Sequence, residues 1–348
     1  MAQMTALGAD WWNDSGVPDE LAEAVGFGAV GGTSNPVIVS QAVKAQPSLC
    51  HPIIDRLVSE NPSDTEDDIA WKLIHALARD AAARLQPVFE RTRGVKGFLS
   101  VQVSPKYYPN LELMVEQATQ LASLAPNIAI KAPATDVGIA AIEELTARGI
   151  RINATVSFSV AQTLAVAAAL ERGLRRARQA GRDADAIRPY LTLMIGRVDD
   201  HLKRVAERER IETTPGALDW AGIAVFKRAH QVLRERGLPG TLLAAAYRHE
   251  GHWSQIIGPD VLQTVPYTWW TKFNVSPTEP ALTLGQPVDP AIVAELRAKF
   301  PDFIRAIDEH AMRPREFLQY GATLHTLSQF LGGYVDLLAS VRARMLPL

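Results

Sequence analysis

The chain has 348 residues, 47% hydrophobic and 21% charged, which is ordinary for a soluble globular protein with a large core. A net charge of −2 gives no electrostatic footprint for nucleic acid or an anionic membrane, and no apolar run reaches membrane-spanning length. Cys50 is the only cysteine, so no internal disulfide forms; with no secretory-type segment at the start of the chain, the expected location is the cytoplasm.

Short apolar strands alternate with amphipathic helices along the chain. Residues 9–13 read as a first strand ending at Asp14, followed by a helix over 18–25 that starts on Pro18. A second strand begins at Ala29 and runs into Gly31-Gly32-Thr33-Ser34-Asn35-Pro36. Helical patterns fill 37–44, 48–59 and 65–91; 98–103 is a third strand and 111–124 a helix. The stretch 126–135 is too short and too proline-bounded for a typical helix and reads as a fourth strand. Its alternation puts Asn127, Ala129 and Lys131 on one face. A helix over 136–148 closes at Gly149, and 150–158 is a fifth strand before a helix over 160–179. The sixth strand is 190–195, and a helical region over 199–236 breaks near Thr213-Thr214-Pro215-Gly216. Residues 241–247 and 261–265 complete eight strands, and 290–346 is mostly helical, broken near Pro301 and Pro314.

This alternation predicts an α/β protein: one domain over 1–348, a parallel (β/α)8 TIM barrel with extra helices. The competing layout is an open doubly wound sheet. Gly26-Phe27-Gly28-Ala29-Val30-Gly31 fits the glycine fingerprint of dinucleotide sites, but it lies between a helix and a strand, where the motif should follow a strand and open a helix.

In such barrels, chemistry collects where the strands end at the C-terminal face. The polar residues there are Asp14, Thr33, Asn35, Gln102, Lys131, Asn153, Thr155, Thr192, Arg197 and Arg248. Singly, each has a plain explanation: Asp14 as a helix cap, Asn35 as a turn, Thr155 as a strand former, Arg197 as a solvated helix residue, Lys131 as a strand end reaching to solvent. Together they suit carbonyl chemistry on a phosphorylated sugar. A desolvated lysine forms a Schiff base, a carboxylate moves a hydroxyl proton, and arginines hold a distant phosphate.

The residues resemble those of transaldolases, Schiff-base aldolases with a (β/α)8 barrel, and the longer bacterial members most. Gly32-Thr33-Ser34-Asn35-Pro36 is similar to the family's second-strand signature. Ile130-Lys131-Ala132-Pro133-Ala134-Thr135, with Gly138 and Ala141-Ile142, is similar to its lysine motif; Asn153-Ala154-Thr155 and Gly196-Arg197-Val198-Asp199 resemble the ends of strands five and six. Ile257-Gly258-Pro259-Asp260 and Thr264-Val265-Pro266 resemble the eighth-strand region. The resemblance runs from about Trp11 to the C-terminus. It implies Lys131 as the Schiff-base lysine, Asp14 as the acid handling the donor's hydroxyl proton, Thr33, Asn35 and Asn153 as donor contacts, Thr155 as the hydroxyl holding a catalytic water, and Arg197 and Arg248 as phosphate ligands. It further implies sugar-phosphate substrates in the pentose phosphate pathway, no metal or organic cofactor, room for a homodimer, and a C-terminal amphipathic helix over 317–346 packed on the barrel or its mouth.

Three positions depart from the pattern. Gln102 stands where transaldolases usually carry a glutamate that polarises the water, and an amide does not exchange a proton as a carboxylate does. Fructose-6-phosphate aldolases place glutamine there, but with a tyrosine on strand six; here that position is Met194. Ala246 replaces a phosphate-contacting serine. The expected activity is therefore transfer of a dihydroxyacetone unit between sugar phosphates. The alternatives are an aldolase that releases or takes up a free carbonyl compound, and a non-catalytic sugar-phosphate-binding protein.

Elsewhere, His249 and His252 have a spacing open to a metal, but no third ligand stands near in sequence, and a loop or helix-start role is expected. Tyr267, Trp269 and Trp270 are expected in the core, and Arg172, Arg175, Arg176 and Arg178 on a solvated helix face.

Overall fold

Every strand expected from the sequence forms, and all eight run parallel. The computed structural model describes residues 1–346. The strands are β1 (Asp10–Asp14), β2 (Gly31–Thr33), β3 (Phe98–Gln102), β4 (Ile128–Pro133), β5 (Ile152–Thr155), β6 (Tyr190–Met194), β7 (Thr241–Ala245) and β8 (Val261–Val265). They pair in sequence order and close through β1 on β8, from Asp10 opposite Leu262 to Asn13 opposite Val265. Closure leaves no unpaired edge. The (β/α)8 barrel is thus the fold, and the doubly wound alternative is excluded. The glycine run 26–31 ends one helix and enters β2, as its position implied.

Local chemistry sets the helix starts. Pro18, Pro36 and Pro290 occupy first-turn positions, where a missing N–H costs nothing. Asn35, Thr135 and Ser159 cap helices that leave the C-terminal ends of β2, β4 and β5. Gly138 is required here, because a Cβ would lie 1.9 Å from Pro133 O as the helix turns back over β4. That close return brings the helix Asp136–Ala147 onto the strand that carries Lys131.

Several strands are shorter than expected. The fifth stops at Thr155 and the seventh at Ala245, because Val156 and Ala246 adopt left-handed backbone with φ of 53° and 68°. The second begins at Gly31, two residues later than Ala29. The alternation assigned to β4 does not include Asn127, which precedes the strand and donates from Nδ2 to Ala82 O and Gly97 O. After β6 there is no loop: the helix Ile195–Glu209 begins at the residue following Met194, four residues earlier than expected. Arg197 therefore sits in its first turn, beside the strand ends.

Trp12 and Tyr190 meet edge to face within the barrel, with ring centroids 4.7 Å apart. Beyond this aromatic floor, towards the C-terminal ends, the interior turns polar. The C-terminal segment breaks into Pro314–Phe317 and Gly321–Met345, so the long helix starts later than Phe317. It packs on the helix Pro36–Ala45 so closely that a Cβ on Gly333 would lie 2.4 Å from Val37. No helix among the described residues is long and apolar enough to cross a membrane.

Candidate active site

The C-terminal strand ends open into a cavity of about 660 Å3. Asp14, Asn35, Lys131, Thr155, Thr192, Arg197 and Arg248 all line it, brought together from β1, β4, β5, β6 and the segments after β2, β6 and β7. Met194 and Ala246, two of the departures, line it as well. Gln102, Thr33 and Asn153 are buried behind this lining.

Lys131 lies in a wholly buried strand and is itself 5% exposed. Burial holds its amine below the ordinary value; the nearby Asp14 pushes it up and Arg197 pushes it down, both through space with no hydrogen bond. Burial thus eases loss of the proton that must leave before the amine can act as a nucleophile. Asp14 shifts the other way. Burial raises its carboxyl above the usual range, against the opposing pull of Lys131, the Thr33 hydroxyl and Arg197. Thr33 donates to Asp14 Oδ1 and lies 2.7 Å from the Thr264 hydroxyl, so two neighbouring strands fix the acid's position.

A second buried chain of bonds crosses the barrel interior. Asn153 donates from Nδ2 to Ser100 Oγ at 3.0 Å and accepts at Oδ1 from Thr192 Oγ1 at 2.6 Å. Asn153 thereby spends its amide on Thr192 and Ser100. Asn35 accepts from Ile38 N–H at 3.0 Å as a helix cap, which leaves its amide donors for the cavity. In contrast, Gln102 Oε1 and Thr155 Oγ1 are buried with no hydrogen-bond partner among the described residues. Gln102 is in register with Lys131 across β3 and β4, and Thr155 with Pro133 across β4 and β5. Unpaired buried polar atoms at such positions suit a site that binds hydroxyls.

Two cations stand at the far side. Arg197 has its pKa held down to about 10 by burial and by the nearby Arg248. It donates to Gln329 Oε1 of the C-terminal helix, and its buried Nε has no partner. Arg248 holds Asp200 through Nε at 3.0 Å and Nη2 at 2.8 Å. Gly196 lets the ends of β6 and β7 approach, since a Cβ there would lie 1.9 Å from Ala246 O. Asp200 and Gln329 were not singled out from the sequence; no local signal marks either one.

The model of the transaldolase/fructose-6-phosphate aldolase family matches residues 11–313. The chain belongs to that family. It is 30% identical to a transaldolase of Thiobacillus denitrificans over 96% of this chain and 95% of that one. A transaldolase of Kocuria rhizophila is 26% identical over 91% and 88%. One of Neisseria gonorrhoeae is 35% identical over 58% and 59%. In this family member, the lysine and the acid that the motifs singled out share one cavity, with Gln102 directly behind it.

The structure adds what the sequence lacked beside His249 and His252. Asp199, buried, brings a third potential metal ligand within 4.8 Å of both. The hydrogen bonds nevertheless argue against a metal. The backbone N–H of Arg248 donates to His252 Nδ1 at 3.0 Å, so the neutral ring carries its proton on Nε2 and donates it to Asp199 Oδ2 at 2.7 Å. A ring holding that proton has no Nε2 lone pair for a metal. Trp270 is buried, and Tyr267 and Trp269 pack partly buried against the core, with the Tyr267 hydroxyl reaching out to donate to Glu23 at 2.7 Å. Arg172, Arg176 and Arg178 lie exposed and pair with Glu143, Glu144 and Asp185.

Proposed function

We propose that this chain is a cytoplasmic transaldolase that transfers a dihydroxyacetone unit between sugar phosphates through a Schiff base on Lys131. One observation carries the reading: a buried lysine with a depressed pKa opens onto the same cavity as a partly buried carboxyl with a raised one. The opposed shifts support Lys131 as the nucleophile and Asp14 as the proton carrier.

In this reading the Lys131 amine attacks the ketone of the donor sugar and water leaves, forming the imine. Asp14 takes the proton from the hydroxyl on the carbon being released, and the carbon–carbon bond breaks towards the imine, which accepts the electron pair as an enamine. Thr155 and Gln102 position the water that the imine steps release and consume. Asn35, Thr192, Asn153 and Thr33 hold the donor's hydroxyl end directly or through one another, and Arg197 and Arg248 hold its phosphate. The enamine then attacks the acceptor aldehyde, and hydrolysis frees Lys131. Borohydride added with fructose 6-phosphate is expected to leave a reduced adduct on Lys131, found by peptide mass. Folded protein with no adduct would refute the mechanism.

Gln102 favours a second reading, an aldolase that releases its product instead of transferring it. Glyceraldehyde 3-phosphate formed from fructose 6-phosphate without erythrose 4-phosphate would support that reading; strict dependence on the acceptor would support transfer.

A further inference from the structure

The segment after β7 has no strand ladder to hold it. Ala246 turns left-handed, and Arg248 follows on backbone that leads into the short helix Gly251–Ser254. What fixes it is the His252 imidazole, which is fully buried and bridges Arg248 N–H to the Asp199 carboxylate. Asp199 is itself immobile, since its other oxygen accepts from Gly222 N–H at 2.8 Å. The hydrogen bonds it accepts outweigh the burial that would raise it and hold its carboxyl below the ordinary range. His249 lies against His252 with the rings tilted by 43° and centroids 3.8 Å apart, and its Nε2 is 3.5 Å from the same Asp199 oxygen.

The consequence lies in spacing. Asp199 and Asp200 follow Arg197 on the first turns of one helix. Asp199 holds the Arg248 backbone through His252, and Asp200 holds the Arg248 guanidinium directly. The Arg248 backbone is thus referenced to the turn that carries Arg197, independently of the Asp200 contact that an incoming phosphate must displace. The two arginines belong to different strand ends, yet the distance between them is set by one short covalent stretch.

We propose that His252, backed by Asp199, is a positioning residue that keeps Arg248 in register with Arg197 to bind the phosphate of the sugar substrate. This rests on the sugar-phosphate reading above. His252 touches no substrate; it acts through the Arg248 amide. A substrate without a phosphate does not use this register.

Two substitutions separate its ring nitrogens. In His252→Asn the side-chain oxygen takes the place of Nδ1 and still accepts from Arg248 N–H. In His252→Gln the amide nitrogen takes the place of Nε2 and still reaches Asp199, but nothing accepts from Arg248 N–H. Borohydride trapping on Lys131 is measured for wild type and both variants, with dihydroxyacetone and with fructose 6-phosphate over a range of concentrations. Expected for His252→Gln is an unchanged rate with dihydroxyacetone and a half-saturating fructose 6-phosphate concentration raised by about tenfold, the worth of one unsatisfied N–H. His252→Asn, which keeps the Arg248 N–H bond but no longer reaches Asp199, is likewise expected to leave the dihydroxyacetone rate unchanged and to raise the half-saturating fructose 6-phosphate concentration by about tenfold, since either half of the bridge is needed to hold the register. An unchanged half-saturation in His252→Gln would overturn the proposal while leaving the Schiff base intact. Equal losses with both ketones would also overturn it, as a general folding role. If His252→Gln does not fold, an unchanged fructose 6-phosphate half-saturation in folded His252→Asn overturns it alone. Trapping of neither ketone by wild type would refute the transaldolase reading itself, and this inference with it.

Discussion

Gln102 lies directly opposite Lys131 in the register of β3 and β4, and its buried Oε1 accepts no hydrogen bond. Among the described residues, the charged groups acting on Lys131 are Asp14 and Arg197, and neither stands on β3. Proton transfer from strand three is therefore limited to what an amide can orient through water.

Gln102→Glu should restore a proton carrier. General acid–base catalysis is worth about 100-fold or more where it is well placed, so a gain of about tenfold in transfer turnover is expected from an unoptimised replacement. Steady-state rates with fructose 6-phosphate and erythrose 4-phosphate check this. Turnover unchanged by the substitution would mean that strand three carries no proton in this enzyme.

The pH dependence of trapping should follow the Lys131 amine. Its folded pKa is depressed, so adduct formation rises with pH through a value below the ordinary 10.5. Asp14 raises that pKa and Arg197 lowers it. Asp14→Asn should therefore move the rising limb to lower pH, and Arg197→Ala should move it to higher pH. Borohydride trapping rates with dihydroxyacetone across pH 6–10 would test both; shifts in the same direction would contradict the assignment.

Much of this site was legible because strand residues carry their own pattern. A lone lysine ending a short apolar run between prolines, a strand ending in Asp14, and the paired Asn153 and Thr155 each have a plain local explanation, and it is their coincidence at successive strand ends that marks them. What stayed hidden depends on partners distant in sequence. Asn153 spends its amide on Ser100 and Thr192, 53 and 39 residues away. Asp199 reaches His252 across 53 residues, and Arg197 reaches Gln329 across 132. The strand ends at Val156 and Ala246 were overextended for a related reason: neither residue type favours positive φ, so only the folded context turns the chain there.

The two arginines should not behave alike. Arg248 is already paired with Asp200, whereas Arg197 has no carboxylate bonded to it. An incoming phosphate must compete with Asp200 for Arg248. Asp200→Asn is expected to lower the KM for fructose 6-phosphate by about threefold, the scale of a half-exposed ion pair. Arg197→Ala should raise it by about 10- to 100-fold, the scale of charge-assisted bonds lost from a partly buried cation. A rise in KM for Asp200→Asn would show instead that Asp200 holds Arg248 in its binding position.

Lys131→Met should abolish trapping and yet stabilise the fold. A buried amine with a folded pKa below 10.5 penalises the folded state wherever the unfolded lysine is protonated. The penalty is greatest below the folded pKa, shrinks as pH rises through it, and vanishes above the unfolded value. Replacing the amine with a thioether of similar length removes the penalty and keeps the packing. The gain expected near neutral pH is on the order of 1–2 kcal/mol, typical when a functional site is relieved of strain. That corresponds to a Tm higher by about 2–6 °C. Thermal melts of both proteins at pH 7 and above pH 10 check the sign: the difference should shrink at the higher pH. A Tm below wild type at pH 7 would mean that the amine is held by favourable contacts, and a lysine so held would be a poor nucleophile.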